Sequence, residues 1–245
     1  YYSGALTVYN ASGTAFSNVL ANAGSADAFL VKYDTNGNVI WATRQASGGN
    51  DGGSCLAAEP TGNVFTIGYY TGTLTLYNSS GTSFSNTYGQ INGNQCVFVA
   101  KYNPNGQVIW GAQSGTINFA GSSMSRAFVD STGNVYTAGL GSDGNYRLYH
   151  SNTAIAFQFG GGGTSTNGYA FKYDQNGRAV WLLYVTNGNN NNNCSAITGD
   201  NLGNIYVSGV LTSTASVLLF TTFDTSTINF ASTGTQAYIV KMNSN

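Results

Sequence analysis

Short segments with apolar residues on both faces of an extended chain recur along this sequence. In AFLVKYDTNGNVIWA, the side chains of Phe29, Val31 and Tyr33 would share one face of a strand and Leu30 would lie on the other. The segment VFVAKYNPNGQVIWG, which begins at Val97, has the same pattern. Strands that are apolar on both faces are typical of the interior of a sheet, so we expect these segments to be central strands.

A turn signal interrupts each of these segments in the middle. The stretch from Asp34 to Gly37 supplies a side chain that can accept backbone N–H groups and a glycine that tolerates positive φ. No stretch keeps apolar residues at i, i+3, i+4 and i+7, and glycine recurs throughout. The pattern therefore predicts hairpins of short strands and no helix.

The hairpins belong to a long internal repeat. Its period is 69 to 71 residues, measured between successive lysines and between successive tryptophans, and these positions include every lysine and every tryptophan of the chain. A second hairpin motif begins at Leu56, Ala127 and Ile197, and a third, YYSGALTVYNASGTAFSN from Tyr1, is nearly copied from Tyr69. The core positions of the repeat are Lys32, Trp41, Lys101, Trp110, Lys172, Trp181 and Lys241.

The repeat defines the architecture that we expect. The chain is predicted to be one all-β domain, 1–245, of about three and a half units, with approximate limits 1–50, 51–119, 120–190 and 191–245. Many short strands at even spacing favour a β-propeller-like repeat, with a stacked-sheet β-solenoid as the alternative.

Two of the motifs together resemble a known repeat family. The string AFLVKYDTNGNVIWATRQASGGNDGG, followed by CLAAEPTGNVFTIGYYTG, resembles the secreted β-propeller repeat often called SBBP, most closely over 27–70. This chain departs from the family by an additional hairpin, TLTLYNSSGTSFSN, inside each unit, which puts ordinary blade geometry in doubt. The resemblance implies an extracellular or cell-surface location and carries no shared catalytic residues.

Composition narrows the classes of partner. Only 7% of the residues are charged, against roughly 25% in an average soluble domain, and the formal net charge is −1. Eight Lys and Arg residues are too few for a polyanion-binding face, so we expect no nucleic-acid partner. No window of the sequence is apolar enough to span a bilayer.

No recurrent constellation points to catalysis or to a bound ion. The GxGxxG string from Gly139 precedes a predicted strand instead of a helix, and His150 occupies a hairpin position held by asparagine in the other units, where we expect it to face solvent. The acidic residues recur with the repeat, so we interpret them as turn caps and as counterions for lysine on adjacent strands. We therefore predict no enzyme activity, no cofactor, and neither a calcium nor a zinc site.

The remaining candidates are cysteines, tryptophans and glycosylation signals. Cys55, Cys96 and Cys194 form no CxxC pair and are interpreted as small buried residues whose disulfide pairing stays open. One tryptophan per unit in an apolar strand is typical of a core residue. The runs 160–163 and 189–193 are interpreted as flexible loop tips. N-linked glycosylation is predicted at the sequons of Asn10, Asn78 and Asn193.

The phase of the repeat motivates a hypothesis about function. The segments 1–34 and 210–243 correspond to the same part of the repeat, and the second stops before its tryptophan strand. One closed ring therefore cannot place both segments at the same position. An unpaired strand edge is a template for another chain. We therefore expect an extracellular structural or adhesive protein, glycosylated and joined to copies of itself or to another repeat chain by strand complementation, head to tail or in filaments.

A second hypothesis belongs to a different class. Exposed asparagine, tyrosine and tryptophan in repeated hairpins could present equivalent sites to glycans, which would make the protein a lectin-like carbohydrate-binding propeller module. Flat binding on a glycan array would disfavour this alternative.

Overall fold

The computed structural model describes residues 1–116, 122–142, 146–159, 165–186, 191–212, 215–221, 225–231 and 234–243. All regular structure in these ranges is β-strand, as the alternation of apolar residues predicts. The strands are β1 (Ala28–Tyr33), β2 (Val39–Ala46), β3 (Gly52–Ala58), β4 (Val64–Tyr70), β5 (Leu74–Tyr77), β6 (Ser83–Tyr88), β7 (Cys96–Tyr102), β8 (Val108–Thr116), β9 (Ser122–Val129), β10 (Val135–Ser142), β11 (Tyr146–Tyr149), β12 (Ile155–Phe159), β13 (Thr166–Tyr173), β14 (Ala179–Thr186), β15 (Asn193–Gly199), β16 (Asn204–Leu211), β17 (Ala215–Thr221), β18 (Thr225–Phe230) and β19 (Gln236–Asn243).

The strands form successive antiparallel sheets. Two sheets have six strands each, in the orders β3-β4-β7-β8-β11-β12 and β9-β10-β13-β14-β17-β18. The first sheet contains β1-β2-β5-β6 and the last contains β15-β16-β19. The edge strand β9 contacts the edge strands β3 and β15 of the two neighbouring sheets, so these three sheet edges lie together. We refer to β1, β7, β13 and β19 as Lys strands, and to β2, β8 and β14 as Trp strands.

The additional hairpin of each unit does not enter its own sheet. Hairpin β5–β6 pairs with β2, hairpin β11–β12 with β8, and hairpin β17–β18 with β14, in each case extending the sheet that comes before it. The hairpin takes one edge of each six-stranded sheet, so the pairing among β3, β4, β7 and β8, and among β9, β10, β13 and β14, is undisturbed by the insertion. Because each repeat donates two strands to its neighbour, the repeats are interlocked.

The predicted central strands are central in the two full sheets. Every residue of β7 is buried, and β13 is buried except at its first residue. The prediction is wrong for β1, which pairs only with β2 and leaves Phe29 40% and Tyr33 48% exposed. The same residue types are buried in β7 because β4 and the preceding repeat cover them.

The hairpins between the Lys and Trp strands share one geometry. Each has a register shift immediately after its lysine, between Lys32 and Tyr33 in the first copy, and at the same place in the next two. The Asp34 side chain caps the following turn by accepting the N–H groups of Asn36 and Asn38, both at 2.8 Å. A bulge of this kind increases the local twist and aims the lysine toward the next repeat.

Candidate functional site

Lysine and tryptophan of each repeat are direct cross-strand partners. Lys32 pairs with Trp41, Lys101 with Trp110, and Lys172 with Trp181. Residues directly opposite each other on antiparallel strands lie close enough for their side chains to act together. This register explains why both residue types recur with one period.

Both side chains converge on one backbone carbonyl of the following repeat. The Pro104 carbonyl oxygen accepts the Trp41 Nε1–H at 2.8 Å and a Lys32 Nζ–H at 3.2 Å. The Gln175 carbonyl oxygen accepts the Trp110 Nε1–H at 3.0 Å and a Lys101 Nζ–H at 3.4 Å. Each acceptor lies in the turn between the Lys strand and the Trp strand of the next repeat. We call this arrangement the Lys–Trp contact.

A glycine allows the turn to approach the indole ring. Gly106 has φ 75° and Gly177 has φ 79°, and a Cβ atom on either would lie 2.8 Å from the ring of Trp41 or Trp110, respectively. The same rings pack against the tyrosine before the turn, with centroids 6.4 Å apart for Trp41 and Tyr102. The Lys–Trp contact is therefore a packed aromatic interface as well as a hydrogen-bonded one.

In the third copy the described residues supply only part of the contact. Trp181 is 1% exposed, and its Nε1–H has no hydrogen-bond partner among the described residues. The sequence counterpart of Pro104 and Gln175 is Ser244, which lies outside the described residues. Met242 takes the tyrosine position and packs against the cluster that contains Trp181.

The lysines differ in how their charge is balanced. Lys101 Nζ lies 2.7 Å from Glu59 Oε1, with both side chains more than nine-tenths buried, and 5.0 Å from the centroid of the Phe65 ring. Burial opposes ionisation of Glu59, but the hydrogen bonds from Lys101, Thr61 and Asn63 outweigh it and hold its pKa below the usual value. The prediction that carboxylates neutralise the lysines is therefore confirmed for Lys101.

The prediction that a carboxylate neutralises each lysine is wrong for Lys32. Its ammonium group donates to the Pro104 carbonyl and forms no ion pair with a described carboxylate. Burial lowers the pKa of Lys172, while the nearby Asp130 and Asp174 act in the opposite direction. The ammonium groups of Lys172 and Lys241 lie 5.5 and 5.7 Å from the ring centroids of Tyr136 and Tyr206.

His150 and two of the sequon asparagines perform one structural task. Asn10 Oδ1 accepts the N–H of Val39 at 2.7 Å, and Asn78 Oδ1 accepts that of Val108 at 2.9 Å. His150 Nδ1 accepts the N–H of Ala179 at 3.0 Å, which is the same bond in the next repeat. Each side chain joins the additional hairpin to the start of a Trp strand.

The prediction that His150 faces solvent is wrong, since the residue is half-buried at this junction. Burial lowers its pKa, and the charge of Arg178 lowers it further. The signal in the sequence is its alignment with Asn10 and Asn78, because all three side chains offer a hydrogen-bond acceptor.

The sequon of Asn193 lies on β15. The Asn193 side-chain oxygen accepts the N–H of Val210 at 3.0 Å and the hydroxyl of Ser195 at 2.7 Å. All three sequon asparagines are half-buried, and Asn78 Nδ2 also donates to Thr82 Oγ1 at 2.9 Å. Glycosylation at Asn10, Asn78 and Asn193 stays a prediction.

Four of the described aspartates cap their own turns. Asp130, Asp174 and Asp200 each accept backbone N–H groups two and four residues ahead, as Asp34 does. The hydrogen bonds from Asn204 lower the pKa of Asp200 to about 2, so this carboxylate is suited to capping rather than to proton transfer. The described residues hold no group of three or more His, Cys, Asp and Glu side chains that could bind a metal ion.

The three cysteines are free thiols at separate places. Cys96 and Cys194 are buried and Cys55 is half-buried. Burial raises the pKa of Cys55 to about 11 and that of Cys194 to about 12, so neither is a reactive thiolate at neutral pH. The GxGxxG string runs from β10 toward β11, with 143–145 outside the described residues, and the next described element is a strand. The run 160–163 and the first two residues of the run 189–193 also lie outside the described residues. The prediction of a loop tip is wrong for the end of the second run, where Asn192 is buried and Asn193 begins β15.

No known family profile matches this chain. It is 26% identical over 185 residues to an uncharacterized WD repeat-containing protein of Acanthamoeba polyphaga mimivirus, a match that covers 75% of this chain and 13% of that protein. The all-β fold with several antiparallel sheets and this similarity together define a β-propeller-like repeat protein. The matched part spans only 13% of the length of that relative. None of the described residues forms a helix long and apolar enough to cross a membrane.

Proposed function

We propose that this protein is an extracellular, non-catalytic structural or adhesive module that assembles head to tail through further repeats of its own kind. The observation that carries the proposal is the Lys–Trp contact. Residues that recur with the repeat, which in an enzyme or receptor could line a site, are used here to join one repeat to the next. The repeated residues thus serve the stacking of units, which is the task of a structural array.

An exposed strand edge supports the assembly step. β7 and β13 each pair with a strand on both sides, whereas β19 pairs with β16 and no described strand occupies its other side. A free edge presents N–H and C=O groups in the spacing that another strand needs. We expect a strand of a further repeat, in the same protein or in a second copy, to pair with this edge.

The surface chemistry supports the extracellular and adhesive parts of the proposal. With 7% charged residues, little electrostatic repulsion opposes close packing of one copy on another. The resemblance to secreted propeller repeats and the sequons are consistent with an exported glycoprotein.

Sedimentation velocity over a range of protein concentrations tests the proposal. We expect assembly that grows with concentration and is suppressed by Ile239→Lys, because this residue lies on β19 and is 66% exposed. Ile40→Lys is the matched control, since Ile40 is 50% exposed on β2, which lies in a different sheet from β19. A monomer at every concentration, or equal suppression by both variants, would reject assembly at this edge.

A further inference from the structure

A groove of about 390 Å³ lies between two neighbouring additional hairpins. Its rim carries four carboxamide side chains from three elements, and its base is apolar. None of the described residues that line it is charged. The lining includes Phe84, Asn86, Ile109, Asn152, Gln175 and Asn176.

Two of the carboxamides are available to a ligand. The side chains of Gln175 and Asn176 are exposed and make no hydrogen bond to any described residue, because this turn uses only its backbone for the Lys–Trp contact and the cap. Asn152 is also exposed, and its Oδ1 accepts the N–H of Ala154 at 3.1 Å while its amide N–H groups face no described acceptor. A carboxamide offers a donor and an acceptor side by side, which matches two adjacent hydroxyl groups.

The apolar base of the groove completes the surface. Ile109 is 44% exposed and Phe84 is half-buried, so both present hydrocarbon to the groove. Trp110 is only 5% exposed, and its Nε1–H already donates to the backbone carbonyl of Gln175. The indole therefore forms the floor of the groove and is not a stacking platform. Hydrocarbon beneath a rim of neutral donors and acceptors suits a ring with C–H groups on one face and hydroxyls at its edge.

We propose that this groove binds a neutral saccharide. The volume accommodates one or two sugar rings, and the carboxamides supply the directional hydrogen bonds. The neutral lining disfavours sialylated, uronic or sulfated sugars, since a bound anion would lose hydration without gaining a counterion from the described residues. This binding activity does not depend on the proposed assembly.

At the corresponding positions, the preceding repeat carries residues with fewer groups for a ligand. At the position of Gln175 it has Pro104, and at the position of Asn152 it has Ser80. The counterpart of Asn86 is Asn18, whose Nδ2 is already bound to the Ser79 carbonyl at 3.1 Å. Of the four carboxamides only Asn105 remains for a ligand, so the groove between the later repeats is the binding site.

A glycan array followed by calorimetry with the best neutral oligosaccharide tests the proposal. We expect binding to neutral glycans, weaker binding to their sialylated forms, and about one site per chain. Asn176→Ala and Gln175→Pro should each weaken the affinity about tenfold, the loss of one or two neutral hydrogen bonds. Gln175→Pro keeps the carbonyl acceptor and introduces the residue that the same turn carries at Pro104.

Asn105→Ala, in the preceding repeat, is the matched control and should leave the affinity unchanged. Circular dichroism of each variant verifies the fold. Failure to bind any neutral glycan, equal preference for charged glycans, or equal effects of Asn105→Ala and Asn176→Ala would overturn the proposal.

Discussion

The indole Nε1–H of Trp41 donates to the carbonyl oxygen of Pro104 at 2.8 Å, although these residues lie in different repeats. The same bond joins Trp110 to Gln175. A side chain that recurs with the repeat therefore forms its principal polar contact with the neighbouring unit and not with its own.

Replacing this donor should reduce stability only where its acceptor is present. Trp110→Phe keeps an aromatic ring and removes the bond to Gln175, so we expect the free energy of unfolding to fall by about 1 kcal/mol beyond the cost of the smaller ring. Trp181→Phe is the control, because none of the described residues accepts its buried Nε1–H, and we expect no loss beyond the cost of the smaller ring. Urea unfolding measures both, and an equal loss in the two variants would contradict the role of the carbonyl.

The close approach of turn and ring can be tested at Gly106. Gly106→Ala places a Cβ 2.8 Å from both the Trp41 ring and the Ser79 Cβ at φ 75°, so both backbone strain and a clash oppose it. Gly81 has φ 85°, and a Cβ added there would meet nothing within 4 Å, so Gly81→Ala carries backbone strain alone. We expect Gly106→Ala to lower the free energy of unfolding by about 1 to 3 kcal/mol more than Gly81→Ala does. Thermal and urea unfolding of the two variants should separate them, and equal losses would show that the Trp41 ring and Ser79 shift without cost.

The ion pair between Lys101 and Glu59 is buried on both sides. Glu59→Gln leaves the Lys101 charge without its partner, and we expect a loss of about 3 kcal/mol in the free energy of unfolding. The double variant Glu59→Gln with Lys101→Met should recover part of this loss, because it leaves no buried charge at this place. A double-mutant cycle in urea that shows no coupling between the two positions would contradict the interpretation.

Acid should weaken the junction at His150. The pKa of His150 is lowered from its ordinary 6.5 in the folded state. At pH values between the folded-state pKa and 6.5, the unfolded chain therefore binds more protons than the folded one. The contribution of neutral His150 to the free energy of unfolding is thus complete above pH 6.5. It is lost as the pH falls from 6.5 through the lowered pKa of the folded state. Urea unfolding at about pH 7.5 and about pH 5 measures this loss.

The variant His150→Asn should lose the part of this pH dependence that comes from the junction. It should also retain stability at neutral pH, because Asn10 and Asn78 accept the same backbone N–H in the other repeats. An unchanged pH profile in His150→Asn would show that the titration lies elsewhere.

The hairpins and turns could be predicted because their signals are local. The Asp34 cap and the glycine at positive φ act within a few residues, and the paired strands follow directly in the chain. The destination of the additional hairpin could not be predicted, since alternation with period 2 specifies which face is apolar but not which sheet edge a hairpin joins.

The Lys–Trp contact could not be predicted for a different reason. Its acceptor is a backbone carbonyl, so the residue that carries it varies from Pro104 to Gln175 without changing the bond. Only the donors leave a periodic signal, and that signal is equally typical of core tryptophans and of lysines paired with carboxylates. Burial of the tryptophans was predictable, but their direction toward the next repeat was not.

Amide hydrogen exchange of β19 as a function of protein concentration is the most direct test of head-to-tail addition at this edge. If a strand of another copy pairs with β19, the amides of Gln236–Asn243 that do not bond to β16 should gain protection as the concentration rises. The amides of β13, which is already paired on both sides, should not change. Protection of β19 that is independent of concentration, in a range where the protein remains folded, would contradict assembly between copies at this edge.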